Sequence, residues 1–435
     1  MTLKEHLRKN IVLAVPVMIG QLGHIMVNVA DSMMVGRVGV VPLAAATFAG
    51  AIYTLLLLFG LGVSYAITPL VAAENPENKS RLMQFLQDGF IMNLVLGIIL
   101  SIVGFSISYL MDYFGQEPEV AEQAKSYLRI MSASIVLVMV FQNFRQYAEG
   151  LSDTVSPMIV SIIGNLLNIV LNWVLIFGHF GFEPMGLFGA GLATFIARVP
   201  MVFLMIWMVR AKIKGFNWHF DWMGVKRMLK IGIPSGMQYI FEVGAFGGAG
   251  IMIGWINAEA QAAHNIALNL SAVSYMAATG IAAAASVRIG NQLGLKDKIN
   301  LRMAGFTCLA MSAAFMAFMG VLFILLRFNL PLFYTTNEEV AATAAVLLIF
   351  GAAFQISDGL QAVGLGVLRG LRDVRIPTAV TFLAFWIIAL PLGYGLAFPL
   401  GLGVNGIWIA LSVGLTVAAV FHIWRFNRLT RRLNF

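Results

Sequence analysis

The chain has 435 residues, of which 60% are apolar and only 11% charged, with a mean hydropathy of +0.86 and a formal net charge of +8. Soluble domains carry roughly a quarter charged residues, so a water-soluble fold is excluded and an integral membrane protein is indicated. The positive charge does not point to nucleic acid, because Lys and Arg sit between apolar runs instead of gathering with exposed aromatics on one surface.

The N-terminal basic stretch (Lys4, Arg8, Lys9) runs into an apolar segment that continues through Gln21, His24 and Asp31 with no evident cleavage site. That pattern predicts a retained first membrane helix, not a signal peptide. About 20 apolar residues cross a bilayer core, and the charged or Gly/Pro-rich breaks divide the chain into twelve such segments. In the first half they fall near 11–36, 43–73, 88–111, 127–149, 156–178 and 187–210. In the second half they fall near 229–255, 261–290, 303–326, 341–368, 376–398 and 404–425. The single cysteine, Cys308, lies inside a span, can form no internal disulfide, and reads as helix filler.

The distribution of charge tests this division. With the N-terminus inside, 23 of the 28 Lys and Arg residues fall on the cytoplasmic side, while only Arg37, Lys125, Arg129 and Arg327 fall outside and Arg198 lies within a span. Basic loops face the cytoplasm, so both termini are expected there, in the inner (cytoplasmic) membrane. The halves also repeat. Gly150, Leu151, Asp153 and Pro157 recur 220 residues later as Gly370, Leu371, Asp373 and Pro377, and Pro16 and Gly36 recur 218 residues later as Pro234 and Gly254. Six spans per half make this a parallel repeat, a plan found among secondary transporters. The expected organisation is therefore a six-helix lobe over 1–210, a basic cytoplasmic linker over 211–228 and a second six-helix lobe over 229–435.

Ionisable groups inside spans are costly and mark a pathway or site by default. On the first span Gln21, His24, Asn28 and Asp31 share one helical face, and the fifth carries Asn165, Asn168 and Asn172 with Thr194 as a neighbour on the sixth. In the second half Gln238, Tyr239 and Glu242 lie together on span seven. Span eight offers Gln261, Asn265 and Asn269 with His264 and Tyr275 nearby, and span ten aligns Gln355, Asp358 and Gln361. Asn, Gln and His can also merely join helices to one another, and Arg198 is the one intramembrane cation able to pair with Asp31. Glu242 and Asp358 have no such candidate. A carboxylate left without a built-in partner in a low-dielectric interior must hold a proton or collect a cation. Competition between that ion and an organic cation would give exchange by alternating access. The 32 Phe and 24 Met residues suit an amphipathic cation of variable shape, although most of them face lipid.

Four runs resemble one family. Val29-Ala-Asp-Ser-Met-Met-Val-Gly36 followed by Leu43-Ala-Ala, Ala262-Ala-His-Asn-Ile-Ala-Leu-Asn269, Ser286-Val-Arg-Ile-Gly-Asn-Gln-Leu-Gly294, and Gln355-Ile-Ser-Asp-Gly-Leu-Gln361 leading to Leu368-Arg-Gly-Leu-Arg-Asp373 are similar to the multidrug and toxin extrusion (MATE) family, NorM-type branch. The resemblance implies an all-α membrane protein of twelve transmembrane helices in two pseudo-symmetric six-helix lobes forming a V-shaped molecule. It also implies Na⁺- or H⁺-coupled export of cationic drugs, with no enzyme activity and no cofactor. On this reading Asp31 serves the first lobe with Asn168, Asn172 and Thr194. Glu242, Tyr275 and Asp358 form the cation site, with Glu242 and Asp358 holding Na⁺. Asn265, Gln238 and Gln355 are assigned to the substrate cavity. Phe354, Asn265 and Arg198 depart from the family pattern. The partners expected are the lipid bilayer and organic cations, for a monomeric protein. The rival reading is a flippase for a lipid-linked oligosaccharide, which would need a basic cavity to hold an anion. An intramembrane aspartyl protease using Asp31 and Asp358 would need a paired-Asp, Gly-rich motif that the chain does not carry.

Overall fold

A computed structural model describes residues 1–213 and 221–433. The middle of the expected linker, 214–220, lies outside the described residues. Among the described residues there is no strand, and twelve long helices carry the chain. In the first half these are α1 Leu3–Val38, α2 Val40–Ala72, α3 Lys79–Ser108, α4 Pro118–Gly150, α5 Val155–Phe177 and α6 Gly186–Lys212. In the second half they are α7 Trp222–Gly254, α8 Ala258–Gly294, α9 Lys298–Leu326, α10 Glu338–Gly370, α11 Arg375–Ala397 and α12 Gly403–Arg431. Eleven are long and apolar enough to cross a membrane. The exception is α7, whose 33 residues suffice in length but include Gln238, Tyr239, Glu242 and a run of glycines that lower its hydropathy.

Helix starts are fixed where polar residues break the apolar runs. Asn78, Asn257, Asp297 and Asn337 each accept a backbone N–H from the first turn of α3, α8, α9 and α10, satisfying donors a helix leaves unpaired. One helix departs from α geometry. Leu383–Ala389 in α11 is π-helical, just before Pro391, which has no N–H to return to the carbonyl of Ile387.

The sequence repeat is a structural repeat. After α4 and after α10 the chain turns through a non-glycine residue at positive φ, Ser152 at 65° and Arg372 at 62°. In both turns the next aspartate donates its backbone N–H five residues back, Asp153 to Ala148 and Asp373 to Leu368, each at 2.9 Å. Each aspartate side chain then grips a cation in the C-terminal part of the sixth helix of its half, Asp153 with Lys212 and Asp373 with Arg425. Burial alone would raise the Asp153 carboxyl, but the Lys212 ammonium and the bonds from Ser156 outweigh it and hold the group below its ordinary range. The glycines of the motif permit close packing. A Cβ at Gly150 would lie 2.7 Å from Val71 Cβ, and one at Gly370 2.6 Å from Ile289 Cβ.

The chain forms two compact units, one of Ile19–Gly236 and one of Met1–Met18 with Met237–Phe435. The first carries a core of Tyr53, Leu128, Ile135 and Met139, among others. The second is centred on Trp408, Phe354, Phe385 and Leu348. The leading helix of each half thus begins in one unit and continues in the other, and both changes fall two residues after a proline, Pro16 in α1 and Pro234 in α7. The packing at these points repeats as well. A Cβ at Gly62 would sit 2.6 Å from Gly236 Cα, and one at Gly280, 218 residues on, would sit 2.9 Å from Met18 N.

The N-terminal starts of these two helices are held by buried charges of opposite sign. Arg288 on α8 donates to Asn10 Oδ1 at 3.2 Å and lies 3.1 Å from His6 Nδ1, while His6 Nε2 meets Asn300 Oδ1 at 3.0 Å. On the other side Asp88 of α3 accepts the backbone N–H of Asp221 at 3.3 Å, immediately before α7. Gly224 belongs to this contact, since a Cβ there would fall 1.9 Å from Asp88 Oδ2.

Candidate functional site

Within the unit of residues 19–236, the polar groups of three helices form a row. Thr194 on α6 donates to Ala190 O at 3.0 Å and accepts from Asn168 Nδ2 at 3.1 Å. Asn168 Oδ1 accepts from Asn172 Nδ2 at 3.2 Å, and the same Nδ2 donates to Asp31 Oδ1 on α1 at 2.5 Å. The spacing of Asn168 and Asn172, one turn apart, is what lets both amides face one side of α5. Asn165 lies on this side too, and a Cβ at Gly23 would come 3.1 Å from its Nδ2. Asn168 and Asn172 are buried, and Asp31 is half-buried. The other members of the α1 stripe are more open: His24 and Asn28 are exposed and Gln21 is half-buried.

Arg198 does not pair with Asp31. Its guanidinium bonds Ser134 Oγ and lies 5.5 Å from the centroid of Tyr53, close enough to act on Asp31 electrostatically but not to contact it. Asp31 is thus bonded by a neutral amide.

In the unit containing residues 237–433, a second constellation gathers α7, α8 and α10. Glu242 and Asp358 are 7% and 6% exposed, deep for carboxylates. Glu242 Oε2 accepts from Gln361 Nε2 at 3.3 Å and is bonded by the Tyr275 hydroxyl, while Asp358 is near enough to Glu242 for their charges to interact. Among the described residues no Lys or Arg nitrogen comes within 4.0 Å of a carboxylate oxygen of Asp31, Glu242 or Asp358. Two like charges buried together cannot persist without a proton or cation beside them.

The amides around the pair are short of donors. Gln355 Nε2 donates to Ser274 Oγ at 2.7 Å and Gln238 Nε2 to Val374 O at 3.5 Å. The Oε1 atoms of Gln238, Gln355 and Gln361 nevertheless accept nothing from the protein. Buried acceptors normally find a partner. The unpartnered oxygen of Gln361, the amide that bonds Glu242, and the two carboxylates are oxygen ligands of the kind a hard cation takes. Among the described residues there is no group of three or more His, Cys, Asp or Glu, so the arrangement is unlike a transition-metal centre. Gly359 brings α9 against this spot, since a Cβ there would lie 2.5 Å from Met316 Cγ and 2.7 Å from Ser312 Oγ.

Asn265 stands apart from the carboxylates. With Gln261 and Asn269 it lies on the exposed face of α8, whereas His264 turns inward and accepts from Trp408 Nε1 at 3.2 Å. Phe354 stacks on the same Trp408, 5.4 Å between centroids. Ser274, the partner of Gln355, and Gln361, the partner of Glu242, were not among the predicted site residues. Gln361 carried a signal, three residues from Asp358 on one helical face, but Ser274 carried none.

A profile of the MatE family matches residues 16–174 and 234–395. The chain is 33% identical over 436 residues to the multidrug resistance protein NorM of Photobacterium profundum, covering 98% of this chain and 96% of that protein. It is also 33% identical over 437 residues to the multidrug resistance protein MdtK of Photorhabdus laumondii, covering 97% and 95%. Its fold is similar to the crystal structure of the eukaryotic MATE transporter AtDTX14, with a TM-score of 0.89 at 21% identity over 99% of this chain and 98% of that one.

Proposed function

The chain belongs to the MATE family of multi-pass membrane transporters, and from that membership we propose that it is a secondary antiporter that exports cationic or amphipathic drugs in exchange for Na⁺ or H⁺. The observation that carries the coupling is the set of three intramembrane acids with no cationic side chain in ion-pair contact among the described residues. Glu242 and Asp358, with the Tyr275 hydroxyl orienting Glu242, take the coupling ion as transported cargo. Carboxylate and amide oxygens are both ligands for Na⁺, and the carboxylates are also bases for a proton, so either ion is served by the same two acids. Asp31 with Asn168, Asn172 and Thr194 is the polar site of the first lobe. Gln238, Gln355 and Asn265 present amides to substrate.

The exchange follows from charge. An organic cation and the coupling ion compete for the same negative groups, so loading one releases the other, and alternating access places the two events on opposite sides of the membrane. An inward-moving ion contributes about 2.3 kcal/mol per charge per 100 mV. The compact units Ile19–Gly236 and Met1–Met18 with Met237–Phe435 are the bodies that alternate, in a monomer placed in the inner membrane with both termini cytoplasmic. The names of the relatives in Photobacterium profundum and Photorhabdus laumondii support the substrate class.

The test is uptake of ethidium into inverted vesicles under an imposed Na⁺ gradient or an imposed pH gradient. One gradient should drive uptake, and Glu242→Gln and Asp358→Asn should each remove that dependence. Gradient-driven uptake unchanged in both variants would take the second-lobe acids out of the coupling.

A further inference from the structure

The cytoplasm-proximal end of α12 gathers charge that the transport site does not use. Six cations meet there: Lys298, Arg302, Arg425, Arg428, Arg431 and Arg432. Of these six, Arg425 alone has a carboxylate in ion-pair contact among the described residues, that of Asp373. Lys298 and Arg302 serve as props. Lys298 Nζ donates to the carbonyls of Arg431 and Leu433 at 2.8 Å each, and Arg302 donates to Thr430 Oγ1 at 2.7 Å and Asn427 Oδ1 at 2.9 Å. Between Trp424, Asn427, Arg428, Arg431 and Arg432 lies a concavity of about 330 Å³ with no acidic side chain in its wall among the described residues. The Arg428 guanidinium is 5.1 Å from the Trp424 ring centroid, an arrangement that holds the cation at the rim.

An apolar track leads into this cup. Val413, Val417, Val420 and Trp424 recur at spacings of four, three and four along α12, and all are exposed, Val420 at 62%. They form one stripe running down the membrane face of the helix to the basic cup. A ligand that fits both parts carries a phosphate at one end and a hydrocarbon chain at the other. Arg guanidinium groups match phosphate oxygens, and a Trp at the bilayer boundary marks the level of the headgroup.

We propose that this end of α12 is a binding site for an anionic phospholipid, its phosphate held by Arg428, Arg431 and Arg432 and an acyl chain lying along Val413, Val417, Val420 and Trp424. A zwitterionic lipid has the same chains and a phosphate, but its ammonium group meets the guanidinium groups of Arg428, Arg431 and Arg432. Free phosphate has the charge but gains nothing from the track.

The full chain in detergent should gain thermal stability with dioleoyl phosphatidylglycerol, and clearly less with dioleoyl phosphatidylcholine or inorganic phosphate. In the triple variant R428Q/R431Q/R432Q, apparent affinity for phosphatidylglycerol should fall roughly 100-fold. If the triple variant does not fold, Arg431→Gln alone should still weaken binding about fivefold. Equal stabilisation by phosphatidylcholine, equal stabilisation by inorganic phosphate, or full retention of the phosphatidylglycerol effect in the variants would each overturn the site.

Discussion

Asp31 is held by one amide, and that amide is held by another. Asn172 Nδ2 reaches Asp31 Oδ1 at 2.5 Å, and Asn168 fixes Asn172 while itself bonding Thr194. A hydrogen bond to a charged group contributes about 1.5–3 kcal/mol, so Asn172→Ala should lower stability by that order, read as a shift in the thermal midpoint. Asn168→Ala should cost less, because it touches no charge. The two side chains share a bond, so the double variant should cost less than the sum of the singles by at least about 0.5 kcal/mol. Strict additivity would mean that the row is four independent contacts. The grouping of these residues was legible in the sequence because spacings of three and four put polar groups on one face. The fate of Arg198 was not, since periodicity gives the face of a side chain but not its partner, and Ser134 and Tyr53 lie on other helices.

At the scale of helices the glycines separate into those that admit a neighbour and those that do not. At Gly370 a Cβ would meet Ile289 Cβ at 2.6 Å and Ser286 O at 2.9 Å, so α10 and α8 touch through backbone there. Gly370→Ala must push the helices apart and should destabilise by about 1–3 kcal/mol. Gly247 has nothing within 4 Å, so Gly247→Ala should be neutral or stabilising by up to about 1 kcal/mol, following helix propensity. A detergent melt of the two variants decides the matter, and equal midpoints would contradict the packing. Motif, caps and span order were readable because each depends on local sequence. The π-helical stretch of α11 and the hold of Arg288 on His6 and Asn10 were not, because they depend on which helices end up adjacent. The 218-residue repeat marked Pro16 and Pro234 as equivalent, but only the fold reveals that each helix changes unit two residues later.

Taken whole, the two halves share a scaffold and differ in chemistry. At the motif's offset of 220 the positions of Asn165, Asn168 and Asn172 are occupied by Phe385, Ile388 and Leu392, and at the offset of 218 Glu242 corresponds to His24. One polar site therefore grew on α1, α5 and α6 and the other on α7, α8 and α10, which requires α7 to cross the membrane despite the low hydropathy that sets it apart from the other eleven. Crossing is testable because Cys308 is fully buried and should give no background with a membrane-impermeant maleimide. If all twelve helices cross, Glu117→Cys and Glu338→Cys should be labelled in intact cells, while Glu77→Cys and Lys296→Cys should be labelled only in inverted vesicles. If α7 lay in the interface, every loop after it would invert, so Lys296→Cys would react from outside and Glu338→Cys from inside. The basic loops favour the first outcome, since Arg288, Lys296, Lys298 and Arg302 would otherwise all be placed on the outer face. Burial of Glu242 favours it too, because a helix lying on the surface would turn its carboxylate to water, whereas here it packs against Gln361 and Tyr275.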